Sequence, residues 1–219
     1  MSGPDVKVIL ADDHALMREG IRGLLEARMP EALVVAEAAT GLETLKLCQR
    51  HQPNLLLLDI SMPDLGGLEV LAEMHGVSPD TRVIIVSQYT DRAYVIRALK
   101  LGAKAYLPKG VMAKDLVAAL RAVLQGRTWL DPSVADMVVD AALHPEHAEE
   151  SSELANLTAR EREVLELIAE GKTAPEMAKM LGISVHTANR HRANLMEKMG
   201  AHSKTDLVKL AVRLNVVRV

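Results

Sequence analysis

Asp12 and Asp13 follow an apolar run at 6–11, Asp59 follows the run 55–58, Ser87 follows 83–86, and Lys109 closes a shorter run that passes through Tyr106. Three carboxylates brought within a few Å of one another repel, and a divalent cation relieves the repulsion. An oxygen set of this kind suits Mg²⁺, which keeps several waters and accepts a phosphoryl oxygen. One carboxylate can then attack phosphorus, because phosphoryl transfer asks mainly for positioning and charge neutralisation, here from the metal and a lysine ammonium. Asp59 is the candidate nucleophile, standing between the acidic pair and Lys109. The stretch Asp59-Ile60-Ser61-Met62-Pro63-Asp64-Leu65-Gly66-Gly67 adds turn-forming residues just past that acid, as a loop around a ligand requires.

These residues share an edge only if the apolar runs are strands of one sheet. The runs at 6–11, 33–36, 55–58, 83–86 and 105–107 are β-branched or leucine-rich, and four lack polar alternation, as strands covered on both faces do. Between them, 15–28, 42–50, 68–75, 91–101 and 113–125 repeat apolar residues at helical spacing, the first through Leu16, Gly20, Ile21, Leu24 and Leu25. Five strand–helix units predict an α/β domain with a five-stranded parallel sheet and helices on both faces, since right-handed crossovers permit little else. Ligands of such sheets bind at the carboxyl ends of the strands, where the chemistry-bearing residues fall.

The chain has 219 residues, enough for two modest domains. Aromatic residues make up 2%, with no Phe, so the core is built from Leu, Ile, Val, Ala and Met. Cys48 is the only cysteine, which excludes an intrachain disulfide and a cysteine-rich metal site. No apolar run approaches the roughly 20 residues that span a bilayer, and a cytoplasmic protein without a membrane partner is expected. Residues 154–219 carry 11 Lys+Arg against 7 Asp+Glu, a net of +4, leaving 15 against 22 and a net of −7 upstream. A small basic module beside an acidic domain points to nucleic acid as a partner of the former. The expected organisation is an N-terminal domain at 1–130, a linker at 131–153 and a C-terminal domain at 154–219. Within the linker, 134–143 is apolar enough for a short helix and 145–153 is polar and acidic.

The last segment is all-α in pattern, with four helices. Thr158 and Glu161 form a capping box for the first, which stops at Gly171, and Pro175 suits the first turn of the second, with Thr173 as its cap. Ser184 caps the third, to Met199, and Ser203 with Asp206 caps a fourth bearing Leu207, Leu210, Ala211 and Leu214. Only Gly182-Ile183-Ser184 separates the second and third, the short connection of a helix-turn-helix. On the third helix, Val185, Ala188, Leu195 and Met199 share the inward face, and His186, Asn189, Arg190, Ala193 and Glu197 the opposite one. Asn suits adenine and Arg suits guanine in a major groove, so Asn189 and Arg190 are the candidate base readers. Arg192, His191, Lys172, Thr187 and Lys198 are candidate phosphate contacts. His14, His51, His75, His144, His147 and His202 form no convincing metal-ligand set.

On these residues, 5–125 resembles a bacterial receiver domain. Asp12-Asp13 match its acidic pair, Asp59 its phosphorylated aspartate, Ser87 its switch hydroxyl, Tyr106 its switch aromatic and Lys109 its lysine. The resemblance implies phosphoryl transfer from a sensor histidine kinase to Asp59, with Mg²⁺ held by Asp13, Asp59, the backbone of Ser61 and, through water, Asp12. Ser87 would then bond the phosphoryl group while Tyr106 turns inward. Two residues depart from the pattern: Gln88 stands where receivers often have a small residue, and Pro108 precedes Lys109 where many place proline after it.

Residues 157–216 resemble the LuxR-type helix-turn-helix of NarL/FixJ-type response regulators, through Leu157-Thr158-Ala159-Arg160-Glu161-Arg162-Glu163-Val164-Leu165, then Gly171, Glu176-Met177-Ala178, Leu181, Ile183-Ser184, Thr187, His191, Leu195, Lys198 and Gly200. That family implies a homodimer on promoter DNA, with the last helix in the dimer contact and RNA polymerase as a candidate further partner. Ala193 departs from it, replacing a common polar base contact. Together the two resemblances imply a transcription regulator controlled by phosphorylation, not an enzyme in the ordinary sense. Other readings stay open at this point. One is a DNA-binding regulator that works without phosphate, against which the intact acidic set speaks. Another is an aspartyl-phosphate phosphatase of the haloacid dehalogenase type, which expects a general acid where Ser61 stands.

Overall fold

The computed structural model describes residues 6–143, 157, 159–201, 203–213 and 216. The chain divides into two compact units between Pro145 and Glu146, inside the segment expected as a linker.

The N-terminal unit alternates β1 (Val6–Ala11), α1 (Ala15–Arg28), β2 (Ala32–Ala38), α2 (Gly41–His51), β3 (Leu55–Leu58), α3 (Gly67–Val77), β4 (Arg82–Ser87), α4 (Arg92–Lys100), β5 (Ala105–Pro108) and α5 (Ala113–Leu124). It closes with β6 (Trp129–Leu130) and α6 (Pro132–Leu143). All strand pairs are parallel, in the order β2-β1-β3-β4-β5-β6. The sheet thus has six strands, not the five expected. Trp129 and Leu130 pair with Ala105 and Tyr106, and the Trp129 amide donates to the Lys104 carbonyl at 2.9 Å. Two residues are too few to show strand periodicity, and only the open edge of β5 makes them a strand.

Every residue of β3 is buried, because helices cover both faces, and its four leucines need no alternation. One face packs Val8, Leu10, Leu55, Leu57, Ile84, Val86 and Leu107 against Ile21 and Leu25 of α1 and Leu116, Leu120 and Val123 of α5. Leu16, counted into the α1 stripe by its spacing, is 81% exposed, since 3.6 residues per turn place it nearly opposite the buried Ile21 and Leu25 around the helix. The expected short helix at 134–143 is α6. Asp131 initiates it by accepting the Ser133 amide at 2.9 Å, Val134 is wholly buried, and Arg92 of α4 pairs with Asp140 at 2.6 Å.

Among its described residues, the C-terminal unit has the four expected helices, α7 (Ala159–Ala169), α8 (Ala174–Met180), α9 (Val185–Lys198) and α10 (Lys204–Arg213). Leu157, Val164, Leu165, Ile168, Met177, Ala188, Leu195, Leu207 and Ala211 form its core. Thr173 and Glu176 make a reciprocal capping box on α8, with the Thr173 amide donating to Glu176 at 2.7 Å. Ser184 accepts the Thr187 amide at 3.0 Å and starts α9. Gly182 has φ of +64° in the connection between them, a left-handed conformation that favours glycine. The Ser203 hydroxyl accepts the Asp206 amide at 3.1 Å, as expected for α10. Thr158, of the first capping box, and Leu214 lie outside the described residues. No helix among the described residues is long and apolar enough to cross a membrane.

Candidate functional site

The ends of β1, β3 and β5 bring Asp12, Asp59 and Lys109 into contact. Lys109 Nζ lies 2.8 Å from Asp59 Oδ2 and 2.9 Å from Asp12 Oδ2. Asp59 is 1% exposed, and its Oδ1 has no hydrogen-bond partner among the described residues. Burial pushes its carboxyl up to about 6, against the Lys109 ammonium, which pulls it down, and with Asp12, which raises it further. Burial works against the Lys109 ammonium too, but the facing Asp59 and Asp12 carboxylates outweigh it and hold the amine above its ordinary value.

Asp13 is more exposed, and His14 bridges the acidic pair, its Nδ1 3.1 Å from Asp12 and 2.6 Å from Asp13. One ligand atom from each of Asp12, Asp13, His14 and Asp59 fits within 4.8 Å of the others. His14, set aside in the sequence, therefore belongs to the cluster; its place directly after the acidic pair was the available signal. A buried, unpartnered carboxylate oxygen among other carboxylates fits a hard divalent cation.

Glycines let the loop after Asp59 close over this edge. A Cβ on Gly67 would stand 2.0 Å from the Asp59 carbonyl oxygen, and one on Gly41 2.0 Å from that of Leu65. Ser61 lies half-buried in this loop, which the Gly41 amide fixes by donating to the Pro63 carbonyl at 3.2 Å.

Ser87 is wholly buried at the end of β4; its hydroxyl accepts the Tyr89 amide at 3.1 Å and its carbonyl accepts the Lys109 amide at 2.8 Å. Tyr106 is also wholly buried, and its hydroxyl donates to the Tyr89 carbonyl. Tyr89 in turn packs on Tyr94 of α4, with ring centroids 5.1 Å apart. Gln88 is exposed, and no peptide bond among the described residues is cis, that before Pro108 included.

On α9, Ala188 and Leu195 face the core as expected, but Val185, the first residue of the helix, is 43% exposed. Arg190, Ala193, Glu197 and His186 are exposed, and Asn189 and Arg192 are half-buried. His191 is half-buried, and burial followed by the nearby Arg160 guanidinium lowers its pKa. Lys198 pairs at 2.8 Å with Glu161, whose carboxylate is buried. Thr187 shares its hydroxyl with Ser184 at 2.8 Å, and Lys172 lies 4.0 Å from Glu170. Of the candidate DNA contacts, Arg190 is thus exposed and Asn189 half-buried, whereas Lys198 and Thr187 are engaged within the unit.

A family model for the response regulator receiver domain matches residues 8–121, and one for the luxR family of bacterial regulatory proteins matches 155–211. The chain belongs to the response regulators. This regulator is 36% identical to the uncharacterized transcriptional regulatory protein YhcZ of Bacillus subtilis over 96% of its length and 97% of the relative's. It is 31% identical to the response regulator UvrY of Escherichia coli, over 95% and 94%. Among solved structures, RcsB in two dimers bound to two parallel DNAs matches it with a TM-score of 0.57 and 26% identity, over 98% of the regulator and 100% of RcsB. The regulator is accordingly a two-component transcription regulator with a receiver and a LuxR-type DNA-binding domain.

Proposed function

We propose that Asp59 accepts a phosphoryl group from a sensor histidine kinase and that this modification controls promoter binding by the C-terminal unit. The observation that carries the reading is the Asp59 carboxylate, buried, with one oxygen unpartnered and the other held by Lys109. In the transfer, an Asp59 oxygen forms the new bond to phosphorus while the bond from phosphorus to the donor nitrogen breaks and leaves with the kinase histidine. Asp13, Asp59, the Ser61 backbone and, through water, Asp12 would hold Mg²⁺, which neutralises phosphoryl charge when bound. Lys109 supplies the fixed ammonium opposite, and Ser87, beside it at the end of β4, supplies the hydroxyl donor.

The added group brings about −1.5 to −2 charges. It draws Lys109 and Ser87, and Ser87 already holds the Tyr89 backbone that receives Tyr106. The inward ring is therefore the position that phosphorylation reinforces, and α4 is the element it bears on.

On DNA, Arg190 and Asn189 read bases, and Arg192, His191, Lys172, Thr187 and Lys198 serve phosphates, the last two after release from Ser184 and Glu161. The RcsB dimers on DNA support a homodimer here, with two half-sites. RNA polymerase would be met at the promoter, and the cytoplasm is the compartment that holds both partners.

The test is the intact mass of wild type and Asp59→Asn after incubation with Mg²⁺ and acetyl phosphate, with promoter binding measured on the same samples. One phosphoryl adduct on wild type alone, with tighter binding, is expected. No adduct on wild type, with promoter binding intact, would leave a regulator that works without phosphate.

A further inference from the structure

Along α1, positions 18, 21 and 25 follow one inward stripe, and Ile21 and Leu25 are buried. The first of the three is an arginine whose side chain is only 16% exposed. Its guanidinium bridges three elements. Arg18 Nε donates to Glu37 Oε2 of β2 at 3.0 Å, and Nη1 donates to the backbone carbonyl of Asp12, just past β1. Arg22, one turn further along α1, holds the other Glu37 oxygen at 3.3 Å. Arg18 also lines the small cavity that Asp12 and Asp59 line.

The carbonyl of Asp12 and the amide of Asp13 lie in one rigid peptide plane. A grip on that carbonyl sets the plane, and the plane sets the directions from which both acidic side chains leave the backbone. The remaining polar atoms of Asp12 are fixed as well: its amide donates to the Ala38 carbonyl at 3.1 Å, Oδ1 accepts the His14 amide at 2.8 Å, and Oδ2 meets Lys109. Among the described residues, Arg18 is the one group that bonds the peptide between the two acids.

We propose that Arg18, anchored by Glu37, is a positioning residue for cation binding at the strand-end pocket: it holds the Asp12–Asp13 peptide so that the two carboxylates converge. This rests on the reading of that pocket as a divalent-cation site. A guanidinium suits the task because its planar fork donates in two directions at once, whereas a lysine ammonium keeps the charge without the fork.

The sign of the effect separates positioning from charge. A cation beside the pocket repels a metal ion, so deleting a bystander arginine would tighten metal binding; deleting a positioning one weakens it. Mn²⁺ binding to the full chain is followed by electron paramagnetic resonance for wild type, Arg18→Met and Arg18→Lys, with circular dichroism confirming the fold of each. Arg18→Met is expected to raise the Mn²⁺ dissociation constant roughly tenfold, the scale seen when partners behind metal ligands are removed. Arg18→Lys is expected to weaken binding too, despite its preserved charge, and it decides the matter if Arg18→Met does not fold. Unchanged or tighter Mn²⁺ binding in a folded Arg18→Met, or full wild-type affinity in Arg18→Lys, overturns the role of Arg18 alone. A wild type that binds no Mn²⁺ overturns the pocket reading, and this inference with it.

Discussion

In the N-terminal unit the carboxylate of Asp59 is buried with one oxygen unpartnered; in the C-terminal unit the buried carboxylate of Glu161 meets Lys198 at 2.8 Å. The receiver concentrates like charges at one edge of its sheet, where burial raises the Asp59 pKa and one Asp59 oxygen has no hydrogen-bond partner among the described residues. The four-helix unit instead closes polar groups on one another, Thr173 with Glu176 and Ser184 with Thr187, and leaves Arg190 exposed. Electrostatic strain left in place marks where a ligand must come to the protein. A frame with its charges satisfied marks a surface that goes to its partner as a rigid body.

The largest test of this contrast is of the rigid frame. Leu195→Ala, at the wholly buried centre of α9, should cost about 2–5 kcal/mol by loss of burial and the cavity left behind. Calorimetry is expected to show a lowered transition for the C-terminal unit, with the receiver's transition in place; an equal fall in both would show that the units do not unfold separately.

Next comes Gly67→Ala, whose Cβ would stand 2.0 Å from the Asp59 carbonyl oxygen. Overpacking of this kind costs about 1–3 kcal/mol, and because the backbone of Asp59 must shift, acetyl phosphate labelling should slow as well. Normal labelling by a destabilised variant would separate the pocket's geometry from the loop's packing.

Arg190→Ala should then cost about 1–3 kcal/mol on the specific duplex and much less on a non-specific one, as measured by fluorescence anisotropy of labelled DNA. Equal losses would make Arg190 a phosphate contact.

The smallest effect is a pH slope. The folded state holds His191 below its ordinary value of 6.5, whereas the unfolded chain titrates there. Below pH 6.5 the unfolded chain therefore binds more protons, and stability should fall on acidification until the folded His191 also protonates. Urea melts of the C-terminal transition between pH 7.5 and about 5.5 should show this fall, and His191→Gln should flatten it.

The strands and their acidic ends were legible because β3 and β4 are continuous apolar runs that stop at Asp59 and Ser87, so composition and chemistry change at the same residue. Three of the C-terminal helices were legible through their caps, Thr173, Ser184 and Ser203, each set off by glycine or proline. Other features are relations between segments far apart in the chain. β6 exists only because β5 offers an edge, and Arg18 reads as an ordinary surface residue until β2 places Glu37 beside it. The ion pair of Lys198 with Glu161 joins α9 to α7 across 37 positions and takes a cation that spacing alone assigns to DNA. Leu16 and Val185 show the limit of reading apolar residues as core: Leu16 falls nearly opposite Ile21 and Leu25 around α1, and Val185, on the side of Ala188, is exposed in the first turn of α9.

Trp129 is the only tryptophan in the chain, and its indole nitrogen is buried without a hydrogen-bond partner among the described residues. It lies in β6, in register with Ala105 and one residue before the partner of Tyr106. Excitation at the red edge of indole absorption therefore reports one place, the outer edge of the receiver sheet beside β5, with no tryptophan signal from the DNA-binding unit. The native chain carries its own optical label for the receiver half of the molecule.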